Sequence, residues 1–122
     1  MGRILVVEDE IEILNLLEKG LKRHNFTIEV SRDGRDAIEK VESFSPDIVI
    51  LDIMLPELDG VSVLKWIKER YPHVKVMMAT AKDEIEDIKN GFLSKADYYI
   101  TKPYVFEEII KGVQILRELN SE

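Results

Sequence analysis

Three acids and a lysine stand directly after short apolar runs. Ile4-Leu5-Val6-Val7 leads into Glu8-Asp9, Ile48-Val49-Ile50-Leu51 into Asp52, and Tyr98-Tyr99-Ile100 into Thr101-Lys102-Pro103. If the runs are neighbouring parallel strands, Glu8, Asp9 and Asp52 converge at one carboxyl edge. Three carboxylates packed together are costly unless a cation neutralises them or some take up protons. Oxygen ligands without His or Cys favour Mg2+, which binds through one or two carboxylates and shares the rest of its shell between water and phosphate. Lys102 suits a phosphoryl oxygen as a point charge. Thr80, after Val76-Met77-Met78-Ala79, adds a hydroxyl at the same edge. One nucleophile, one metal and two donors cover what phosphoryl transfer needs, which is mostly positioning and charge stabilisation.

The elements that must position these groups alternate regularly. Strands are expected near 3–8, 27–31, 47–52, 74–79 and 97–101, and helices near 11–23, 34–43, 60–71, 84–93 and 104–119. In the first helix Ile11, Leu14, Leu17 and Leu21 recur at helical spacing while Glu12, Glu18, Lys19 and Lys22 face water. The runs Ile4–Val7 and Ile48–Leu51 are apolar without alternation, as strands covered by helices on both faces are. Alternating βα units with short connections imply a parallel sheet and a doubly wound α/β fold. In such sheets ligands bind beyond the carboxyl ends of the strands, where the strand order reverses.

Bulk properties fit one such domain over 1–122. The chain has 122 residues, 45% hydrophobic and 34% charged, and no run approaches a membrane span. With no cysteine, disulfides and thiolate metal sites are excluded. A net charge of −7 argues against direct nucleic-acid binding by this domain. Met1-Gly2-Arg3 runs straight into a strand without a targeting peptide, so a cytoplasmic address is expected.

Taken in order, Val6-Val7-Glu8-Asp9-Glu10, the segment DIVILDIMLPELDG from Asp47 to Gly60, Ala79-Thr80-Ala81, and ADYYITKPY from Ala96 to Tyr104 resemble the receiver domain of two-component response regulators. The resemblance runs over essentially the full chain and implies a single flavodoxin-like (βα)5 domain with a five-stranded sheet of order 2-1-3-4-5. It implies that Asp52 is the phosphoacceptor and that Glu8, Asp9, Asp52 and the backbone carbonyl of Met54 hold Mg2+, with Mn2+ able to substitute. Lys102 would contact the phosphoryl group, Thr80 would be the switch hydroxyl and Tyr99 the aromatic switch. The Lys102-Pro103 bond is expected to be cis, although only about 5–6% of X-Pro bonds are.

The chemistry so implied is attack by the Asp52 carboxylate on phosphorus carried by a histidine of a separate kinase or phosphotransfer protein. His24 and His73 lie in polar, turn-like sequence away from that edge and are surface residues. The phosphoryl group would recruit Thr80, let Tyr99 turn in and change the surface of the fourth helix, fifth strand and fifth helix. The protein would be a monomer or a phosphorylation-dependent dimer. It would be a signalling domain that assists its own phosphorylation and dephosphorylation, not an enzyme.

Several positions depart from the commonest family pattern. Met54 and Lys82 border the route of attacking water and predict an altered phosphoryl lifetime. Lys95 and Tyr98 replace a common glycine and a common acid. A phosphatase of the haloacid dehalogenase type would need a second Asp where Met54 stands. An FMN-binding flavodoxin would need a Ser/Thr/Gly cradle where Glu8-Asp9-Glu10 stand. A receiver-shaped module that is never phosphorylated would not need the complete set of acids, hydroxyl and lysine. As to output, a stand-alone receiver acting on a protein partner is preferred, because the sequence ends after the fifth helix. The alternative is the amino-terminal receiver of a longer DNA-binding transcriptional regulator.

Overall fold

The computed structural model describes residues 2–81 and 96–120. Within them the apolar runs form five strands: β1 (Arg3–Val7), β2 (Thr27–Ser31), β3 (Ile48–Asp52), β4 (Lys75–Ala81) and β5 (Tyr98–Lys102). They pair in parallel in the order β2-β1-β3-β4-β5. Helices α1 (Ile11–Arg23), α2 (Gly34–Phe44), α3 (Gly60–Arg70) and a C-terminal helix (Phe106–Asn120) link or follow them. The helix expected at 84–93, with Lys82 and Lys95, lies outside the described residues.

Strand alternation divides the core into two layers. Ile4, Val6, Ile48, Ile50, Met77 and Ile100 face α1 and the C-terminal helix, where Leu14, Leu17, Leu21, Ile109, Val113 and Leu116 meet them. Leu5, Val7, Val49, Leu51, Val76 and Met78 face α2 and α3, against Ala37, Val41, Val63, Leu64 and Ile67. All five residues of β3 are buried, as expected of a central strand covered on both sides.

The Asp-Gly pairs start helices. The Asp33 carboxylate accepts from the Asp36 N–H at 2.8 Å and the Asp59 carboxylate from the Ser62 N–H at 2.9 Å, satisfying amides that the first helical turn leaves open. Gly60 has a second reason to lack a side chain. A Cβ there would run into the Asp52 carbonyl oxygen and the Ile53 backbone, so α3 begins directly over the end of β3.

Two expected strand ends move outward. β4 continues to Ala81 and β5 to Lys102, so Thr80 and Lys102 lie within strands rather than just past them. Backbone pairing explains this: Thr80 is level with Thr101 and Ala81 with Lys102, and the ladder outlasts the apolar run. The last helix starts at Phe106, two residues later than expected. Tyr98, in place of a common acid, packs in the core layer beside the C-terminal helix, and Gly112 makes room for it. A Cβ at Gly112 would lie 2.7 Å from the Tyr98 ring.

Candidate functional site

β1 and β3 are neighbours in the sheet, and the chain leaves them toward opposite edges, so their carboxyl ends open onto the topological switch point. Glu8 and Asp9 follow β1 and Asp52 closes β3. Each offers an oxygen to a cluster whose atoms lie within 4.8 Å of one another. Glu8 and Asp52 are buried, whereas Asp9 is more open to solvent.

Asp52 is held from two sides. Its Oδ1 accepts the Met54 N–H at 3.0 Å and its Oδ2 accepts the Lys102 ammonium at 2.7 Å. β4 lies between Asp52 and Lys102, and the lysine sits two residues beyond the position level with Asp52. Spanning two strand spacings means crossing roughly 9–10 Å. Ala79 and Ala81, on the same sheet face by alternation, leave the lysine stem a clear path. Burial works against the Lys102 charge, but the hydrogen bond and charge of Asp52, then Glu8 and Glu10, more than offset it and raise its pKa.

Glu8 has the opposite difficulty. Burial, with the nearby Asp52 charge, pushes its carboxyl up to about 7, although the Glu10 N–H and the Tyr104 hydroxyl favour the ionised form. The Glu10 N–H donates to Glu8 Oε2 at 3.2 Å and the Tyr104 hydroxyl to Oε1 at 2.9 Å. The same environment, burial first and then the Glu8 and Asp52 charges, raises the Tyr104 phenol well above its ordinary range, so it stays a donor. Asp52 and Glu8 together exceed what one ammonium neutralises. That surplus and an all-oxygen donor set fit Mg2+.

Thr80 and Tyr99 form a second group on the other sheet face. Thr80 is fully buried, and among the described residues its hydroxyl makes only a long 3.5 Å contact with the Ala81 carbonyl; no hydrogen bond joins it to Asp52. Tyr99 is level with Met78, two residues before Thr80 and so on the same face, and packs in the same layer. Its hydroxyl is already buried and has no hydrogen-bond partner among the described residues. Burial, and then the Asp97 charge, raise its pKa. The Lys102-Pro103 peptide is cis, as expected. The Met54 side chain is 69% exposed beside Asp52, and no acid stands there for a dehalogenase-type mechanism. His24 and His73 are exposed and away from the site. Sequence reasoning missed Tyr104 as a site residue. It belongs to the ADYYITKPY segment, but nothing local ties it to an acid 96 positions earlier.

A buried acid pair at the switch point with a strand-end lysine beside it defines an α/β domain with a charged carboxyl edge suited to a cation. The family profile for the response regulator receiver domain matches residues 4–114, and the chain belongs to that family, whose members are signalling domains rather than enzymes. Among its relatives, the transcriptional regulatory protein TrcR of Mycobacterium tuberculosis is 38% identical over 119 residues, which cover 98% of this chain and 46% of TrcR. The alkaline phosphatase synthesis transcriptional regulatory protein PhoP of Bacillus subtilis is 40% identical over 114 residues, 93% of this chain and 48% of PhoP. The receiver domain of the Francisella response regulator 1452 superposes with a TM-score of 0.88 at 29% identity, covering 97% of this chain and 98% of that one. The chain thus spans about half the length of the curated relatives it matches. These relatives favour the longer regulator over the stand-alone receiver.

Proposed function

We propose that this chain is the receiver of a longer two-component transcriptional regulator, switched by phosphorylation of Asp52. An Asp52 carboxylate oxygen attacks the phosphorus of a phosphohistidine on a separate kinase or phosphotransfer protein. The new P–O bond forms as the P–N bond breaks, and the bonding pair returns to the imidazole nitrogen. Glu8, Asp9, Asp52 and the Met54 carbonyl would hold Mg2+, which when bound supplies positive charge against the carboxylates and the phosphoryl oxygens. Lys102, already on Asp52 Oδ2, is placed to follow the charge onto the phosphoryl group. The observation that carries this reading is the convergence of Glu8, Asp9 and Asp52 on one point with Lys102 beside them.

The readout would pass through Thr80 and Tyr99. A phosphoryl oxygen offers the Thr80 hydroxyl a better acceptor than the Ala81 carbonyl at 3.5 Å. Tyr99, on the same sheet face, sacrifices no hydrogen bond to described residues when it moves, because its buried hydroxyl has none. The output is a change in the surface around β5 and the helices flanking it, passed to a DNA-binding domain in a cytoplasmic regulator. Incubation with a small phosphodonor and Mg2+, followed by intact mass measurement, tests this. Wild type gains one phosphoryl group and Asp52→Ala gains none; an equal adduct on both would refute the assignment.

A further inference from the structure

We propose that the Tyr104 hydroxyl is a positioning group for the metal corner of the site, holding the Glu8 carboxylate in the orientation from which it serves as a ligand. This rests on the reading of the acidic edge as a Mg2+ site. Glu8 is completely buried, yet the Lys102 ammonium beside it is given to Asp52. What holds Glu8 is one backbone amide on Oε2 and the Tyr104 hydroxyl on Oε1, its only side-chain hydrogen bond among the described residues.

The hydroxyl arrives on a rigid support. Tyr104 packs with Phe106 against the core layer of α1 and the C-terminal helix, and its ring centroid lies 6.0 Å from the Lys102 ammonium. Lys102 and Tyr104 flank Pro103, so one short segment addresses both buried acids: the lysine takes Asp52 and the tyrosine takes Glu8. A glutamate has three side-chain torsions to fix, and each oxygen here is fixed by its own donor. Groups that orient a metal ligand typically change affinity 10–100-fold when removed. Phenylalanine would fill the same space without the donor.

Calorimetric titration with Mg2+ alone, on wild type, Tyr104→Phe, Glu8→Gln and the double variant, separates orientation from packing. Tyr104→Phe is expected to weaken Mg2+ binding about tenfold in the wild-type background and to change nothing further in the Glu8→Gln background. Equal loss in both backgrounds would mean that the tyrosine acts by packing, and unchanged affinity that it does not act on the site; either overturns the proposal. Absence of Mg2+ binding by wild type would instead remove the metal reading on which it rests. In the metal-free protein, the Glu8 carboxyl 13C resonance is expected to shift in Tyr104→Phe. An unmoved resonance contradicts the proposal without reference to metal.

Discussion

Two lysine–aspartate pairs of nearly equal length serve opposite ends of the sheet. At the carboxyl edge Lys102 meets Asp52 at 2.7 Å; near the amino ends of β4 and β5 Lys68 meets Asp97 at 2.6 Å. Around Lys68 and Asp97 every strong interaction is closed internally. The ammonium also donates to the Val74 carbonyl at 2.9 Å and the carboxylate accepts the Val76 N–H at 2.8 Å, so α3, β4 and the entry to β5 are clamped together. Around Asp52 the charges do not close, because Glu8 and Asp9 share the space and, among the described residues, only the Lys102 ammonium pairs with the cluster. A saturated ion pair is architecture, whereas one embedded in surplus charge suits the cation and phosphoryl group proposed for it.

Breaking each pair should therefore give different phenotypes. Lys102→Met is expected to lower the rate of Mg2+-dependent phosphorylation about 100-fold, since a donor to developing charge is lost. Rapid-quench phosphorylation measures it; a change under threefold would place Lys102 outside the chemistry. Lys68→Met should do the reverse. Leaving Asp97 largely buried without its cation should cost about 2–3 kcal/mol of stability in urea denaturation, with the phosphorylation rate unchanged. Equal stability in the variant would show that the clamp contributes nothing.

The unsatisfied charge also predicts pH dependence. In the metal-free protein burial, with help from Asp52, raises Glu8 from its ordinary 4.5 to about 7. Between those values the folded chain retains a proton that the unfolded chain has released. The contribution of this group to stability is thus greatest in acid and declines as pH rises through about 7. Mg2+ competes with that proton, so its affinity should increase from about pH 6 to about pH 8, and Glu8→Gln should flatten the trend. An affinity independent of pH in wild type would show that Glu8 is already ionised or is not a ligand.

The smallest expected effect lies in the loop between β3 and α3. Glu57 has φ 69°, a left-handed conformation that costs a side chain about 1–2 kcal/mol, and its exposed ion pair with Arg35 at 3.4 Å returns little. Glu57→Gly should raise stability by about 0.5 kcal/mol without altering phosphorylation. A loss of stability would mean that the surface pair outweighs the backbone.

Much of the architecture was legible because β1 and β3 are uniformly apolar while the helices carry a clear apolar stripe, so layer and topology followed together. Asp52 was legible for the same reason: a carboxylate closing a buried strand is conspicuous. Thr80 and Lys102 were located to the right edge but outside their strands, since apolarity ends before backbone pairing does. Lys68 on an amphipathic helix resembles any solvated lysine, and only the approach of Asp97 distinguishes it. Tyr104 required the three-dimensional path that returns the chain to Glu8.

The residue that carries the phosphoryl group can be located chemically. An acyl phosphate on aspartate is reduced by borohydride to homoserine, so phosphorylation with a small donor and Mg2+, borohydride treatment and peptide mass mapping identify the acceptor. Homoserine is expected at position 52, dependent on Mg2+. Conversion at another acid, or none at 52 in protein that has gained a phosphoryl group, would contradict phosphorylation of Asp52.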